Sequence, residues 1–145
     1  MEIQTTRFGA LTVDPQKIIH MPAGMLGFPG RLHYVLLQHK ENSPFFWYQA
    51  VDDPDLAFVV ASPFFIKPDY RINLKRAAAE MRWEGNDLQR IDLYVVITIP
   101  NGSPERMTAN LIGPVVINNR KQEAFQYVVT GSVYTHRHAV FGEGR

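Results

Sequence analysis

Residues 91–99 constrain this chain more than any other stretch, because nine residues in a row alternate with a period of two. Ile91, Leu93, Val95, Ile97 and Ile99 fall on one side of an extended strand, and Asp92, Tyr94, Val96 and Thr98 on the other. The turn residues at 100–104 send the chain back, so residues 107–118 are expected as the antiparallel neighbour in a hairpin. That neighbour is broken in its middle. Gly113 frees the backbone and Pro114 removes an amide donor between two apolar runs, which predicts a bulge, a bend or a sheet edge.

The remaining runs are short and separated by turn signals. Residues 2–7 and 10–13 read as a hairpin, and 17–21, 33–38, 44–51, 56–61 and 125–130 as further strands. In 45–48, Phe45 and Trp47 face one way and Phe46 and Tyr48 the other, so large aromatics occupy both faces of the sheet. The single helix expected lies between Asn73, its cap, and Gly85, whose left-handed backbone ends it. Leu74, Ala78 and Met81 share its buried side, Lys75, Arg76 and Arg82 face solvent, and Trp83 is a lid over the sheet or an exposed anchor. Nine or ten strands and one short helix describe a mainly β, single-domain antiparallel fold, barrel-like or sandwich, with the helix plugging an open end. Residues 1–135 form that domain and 136–145 a polar C-terminal tail. A chain of 145 residues suits one core.

Composition narrows the chemistry. With no cysteine, disulfides, thiolate catalysis and Cys-ligated metals are excluded, and a net charge of +1 gives no strong steering toward nucleic acid or membrane. The N-terminus lacks a basic and apolar leader, and no apolar run reaches membrane-spanning length, so a cytoplasmic protein is expected. The glycine-rich loop at 23–30 lacks the lysine and serine or threonine of a phosphate cradle. Asp52, Asp53 and Asp55 read as a turn, since the spacing of a calcium loop is missing. His136 and His138, with Glu143, approach the first metal motif of a cupin but lack its spacing and its second half. His20, His33 and His39 stand apart from any nucleophile, and no serine lies in a catalytic elbow. Neither an enzyme, a cofactor nor a metal is expected. Aromatic surface remains in surplus, and Phe45, Trp47, Phe64 and Phe65 are the candidate partner-binding residues.

Three segments carry a resemblance that runs from about Phe8 to Tyr134. Gly27-Phe28-Pro29-Gly30, then Gln49-Ala50-Val51-Asp52-Asp53-Pro54-Asp55-Leu56-Ala57-Phe58, then residues 110–118, Asn-Leu-Ile-Gly-Pro-Val-Val-Ile-Asn, resemble the flagellar assembly factor FliW family in order and spacing. The resemblance implies a non-enzymatic partner switch. Such a protein binds the C-terminal region of newly made flagellin and, once released, binds and antagonises the translational regulator CsrA, so that flagellin synthesis follows export. It implies no direct nucleic-acid binding and no membrane contact. On this reading flagellin enters by a helix-in-groove contact at the candidate aromatics, while Asn110 and Asn118, which bond nearby backbone, are kept as further partner contacts. The alternatives are a small metal-dependent β-barrel enzyme using His136 and His138, and an OB-like nucleic-acid-binding module using Tyr34, Tyr48 and arginines.

Overall fold

A computed structural model describes residues 1–38 and 40–141. The expected N-terminal hairpin is present as β1 (Glu2–Thr5) and β2 (Gly9–Thr12). A 3-10 turn at Pro15–Lys17 leads into β3 (Ile19–His20), shorter than the run at 17–21 suggested. Then come β4 (His33–Gln38), β5 (Phe45–Ala50), β6 (Ala57–Ala61), and two helices, α1 (Pro63–Ile66) and α2 (Leu74–Glu80). The alternating stretch is β7 (Ile91–Thr98), and the interrupted neighbour divides into β8 (Thr108–Ala109) and β9 (Val115–Asn118). β10 (Glu123–Gln126) and β11 (His138–Ala139) complete the described strands.

β3 through β7 pair in sequence as antiparallel neighbours, β7 pairs with β9, and β9 with β10. A single parallel pair, Glu123 with His20, joins β10 to β3 and closes a seven-stranded ring. The sequence left barrel and sandwich open; the pairing makes it a barrel, extended at one side by β8 and β11. Most of the segment expected as a polar tail is described, and in it His138 pairs with Ala109. Glu143, the third residue of the cupin-like set, and His39 lie outside the described residues.

The glycine-proline break is a bulge. Ile97 pairs with Ala109 and Tyr94 with Val115, so three steps along β7 face six along its partner, which carries three extra residues. Local bonds absorb the slack. Asn110 Oδ1 accepts from the Ile112 amide at 3.1 Å, and the carbonyls of Ile112 and Pro114 accept from the amides of Val129 and Tyr127. Gln126 Nε2 donates to the Gly113 carbonyl at 2.8 Å, so each backbone group freed by the bulge that these bonds reach is satisfied.

Because side chains alternate along each strand, one set fills the barrel and the other must be covered from outside. Tyr34, Tyr48, Met21, Val60, Val115 and Ile117 occupy the interior, with the Tyr34 and Tyr48 rings stacked 4.6 Å apart. The β1–β2 hairpin covers β4 through Ile3, Val13 and Val35. Ala77, Ala78 and Trp83 cover Val116 and Phe125, the outward residues of β9 and β10. The helix therefore lies against the barrel wall and does not plug an open end, because its alanine face matches the outward side chains of those strands. Trp83 is the lid of the two readings, 4% exposed, with Nε1 donating to Glu123 Oε1 at 2.9 Å.

Asn73 caps α2 as expected, Oδ1 accepting from the Arg76 amide at 3.0 Å. The helix ends earlier than Gly85. Arg82 already has φ 58°, a left-handed backbone that stops the helix, and Gly85 at φ 62° begins a 3-10 turn instead. In that turn Asp87 is buried and accepts from Arg120 at 3.1 Å, pinning the turn to the β9–β10 connection. Burial pulls its carboxyl upward, but the Arg120 bond, the Glu84 amide and the Lys121 charge outweigh that and hold it below the ordinary range.

Candidate partner-binding face

β6 and β7 pair only at Val60 with Val96 and at Ala61 with Val95. Beyond that point β6 stays with β5, while β7 turns its other edge to β8, and the outer surface opens between them. The opening is a slot of about 100 Å³ lined by Phe45, Trp47, Val59, Ile99 and Met107. None of these carries a charge, and the volume suits one large aliphatic side chain. Divergence of the strands, rather than any one residue, makes the site.

Aromatics ring the slot. Phe65, 53% exposed, meets Phe45 edge-on at 6.2 Å, held there by the short helix α1, whose cap Ser62 accepts from the Phe64 amide at 3.2 Å. On the opposite side the hairpin turn brings Phe8 edge-on to Trp47 at 6.3 Å. Arg7 from the same turn lays its guanidinium over the indole, 4.3 Å from the ring centroid. The turn is tethered from below, with Thr6 Oγ1 donating to Asp55 Oδ1 and the Thr6 amide to the Pro54 carbonyl at 2.9 Å.

Of the six candidates, the structure brings three together at this slot: Phe45, Trp47 and Phe65. Phe64 is also exposed but packs edge-on to Tyr70 at 6.1 Å. The two asparagines stand elsewhere. Asn118 is completely buried, its Oδ1 accepting from the amides of Arg120 and Lys121 at 2.9 and 3.1 Å, so it works inside the fold and offers no surface to a partner. Asn110 supports the bulge as described. Sequence reasoning missed Arg7, Phe8, Val59, Ile99 and Met107. One signal was available for Phe8, since a large aromatic beside a turn glycine has no strand face to fill.

Other chemistry weighed from the sequence resolves into structure. Asp53 accepts from Arg31 at 3.1 Å, which with the Asp55 amide holds its carboxyl below the ordinary range, and the acidic cluster is a turn. Gln49, fully buried, reaches back over that turn to the carbonyls of Asp53 and Leu56. Among the described residues no three His, Cys, Asp or Glu side chains converge as a metal site would require. No described helix is long and apolar enough to cross a membrane.

Fold and face together define a class: small closed β-barrels whose outer wall opens into an aromatic-ringed apolar slot. The family model described as FliW protein matches residues 2–140. A flagellar assembly factor FliW from Geotalea uraniireducens is 42% identical over 141 residues, covering 97% of this chain and 85% of that one. Another, from Moorella thermoacetica, is 36% identical over 143 residues, covering 99% and 90%. A crystal structure of the flagellar assembly factor FliW superposes with a TM-score of 0.89 at 31% identity over all of both chains. This chain belongs to the FliW family.

Proposed function

We propose that this protein is a cytoplasmic flagellar assembly factor that binds the C-terminal region of flagellin and, when released, binds and antagonises CsrA. Membership of the FliW family over nearly the whole chain supports the role, and the apolar slot with its exposed aromatic rim supports a docking face. Flagellin docks by the apolar side of an amphipathic helix. Phe45 and Trp47 are about 6.6 Å apart along their strand, close to the 5.4 Å pitch of a helix, so anchors three or four residues apart reach both.

Passing the purified protein over immobilised flagellin and CsrA, separately and then together, tests the role; retention by neither refutes it. Trp47→Ala and Phe65→Ala test the face. Phe65 is exposed, so its loss should weaken flagellin binding by about tenfold or more while leaving the melting temperature close to native. Unchanged affinity in both variants refutes this placement of the site.

A further inference from the structure

The slot carries no charge, yet one cation stands at its rim. Arg7 is exposed and makes no salt bridge to any described carboxylate. Asp55, in the β5–β6 turn beneath it, is engaged by Thr6. A guanidinium held over an indole by its central carbon still has a fork of N–H donors with which to meet a planar two-oxygen acceptor. Trp47 is at once the floor under that cation and a wall of the slot.

We propose that Arg7 receives the carboxylate at the C-terminal end of the helix that occupies the slot, and so sets the direction in which the occupant lies. This rests on the reading of the face as the flagellin site. An apolar slot alone accepts an amphipathic helix in either direction. A helix C-terminus carries both the negative end of the backbone dipole and, when it ends a chain, a full carboxylate, so the end that meets Arg7 is the C-terminal one. The preferred occupant has a large aliphatic residue in its last turn, seated between Trp47 and Met107, and a free chain end beside it.

The test uses a peptide of the flagellin C-terminal region in two forms, free acid and carboxamide, titrated against the native protein, Arg7→Gln, Arg7→Lys and Trp47→Ala. The free acid should bind the native protein about three- to tenfold more tightly than the amide, a modest factor because the pair is partly solvated. Arg7→Gln should erase the difference, and Arg7→Lys, which keeps the charge but not the planar fork, should retain part of it. Equal binding of both forms to the native protein, with Trp47→Ala weakening both, overturns the role of Arg7 and leaves the face intact. Indifference of both forms to Trp47→Ala removes the face, and the proposal with it.

Discussion

Two tyrosine hydroxyls are the most exacting residues in the barrel. The oxygens of Tyr34 and Tyr48 are buried and have no hydrogen-bond partner among the described residues. Each rings the interior with useful apolar area while leaving a polar tip uncompensated, which ordinarily costs about 1–3 kcal/mol. Tyr48→Phe keeps the ring stack and removes one such tip, so denaturant unfolding should show equal stability or a gain of about 1 kcal/mol. The same burial governs the alkaline limit. Burial, with help from the Asp52 charge, pushes the Tyr34 hydroxyl from 10.0 up to about 12, and burial pushes Tyr48 up as well. Above pH 10 the unfolded chain releases these protons while the folded chain still holds them. Stability is therefore complete below pH 10 and falls as pH rises toward 12. A Tyr34→Phe, Tyr48→Phe double variant should lose less stability over that interval than the native protein; an identical decline would assign the alkaline limit to other groups.

At the scale of elements, turns decide more than strands do. Gly24 at φ 67° is approached so closely that an added Cβ would lie 2.4 Å from the Phe28 carbonyl oxygen and 2.9 Å from the Pro29 Cα, both backbone atoms that cannot step aside. Gly27, at φ 91°, has open space around it. Gly27→Ala should cost only the ~1–2 kcal/mol of a left-handed alanine, whereas Gly24→Ala must also move residues 28–29 and should cost clearly more by equilibrium unfolding. Much of this level was readable in advance. The two-residue period placed β7, and turn signals around apolar runs placed β4, β5 and β6, each within a residue or two, while Asn73 announced its helix and Gly113-Pro114 announced a bulge. The slot was not readable, because its walls come from β5, β6 and the ends of β7 and β8, and it exists only where β6 parts from β7. Phe45 and Trp47 were found since an aromatic pair on one strand face is a local pattern, while Ile99 and Met107 join them only through pairing across the sheet. Helix α2 stopped early for an equally local but unwritten reason: nothing in the identity of Arg82 demands a left-handed backbone.

The whole molecule is a ring closed by one weak link. Every neighbouring pair of barrel strands shares at least two registered residue pairs, except β3 and β10, which share one. Pairing that sparse is cheap to open, so amides at residues 19–20 and 122–124 should exchange with deuterium sooner than those of β5 and the middle of β7. Uniform protection around the ring would contradict this. β7 is the opposite case, joined to β6 along one edge and to β8 and β9 along the other. On a ribosome its late position has a cost in time. Until residues 91–98 emerge, the β6 edge and the apolar wall beside it have nothing to rest on, and the ring cannot form until β9 and β10 follow. The half-made chain thus shows solvent the same apolar wall that forms the proposed docking face, which makes the interval of its own synthesis the period when that wall is least guarded.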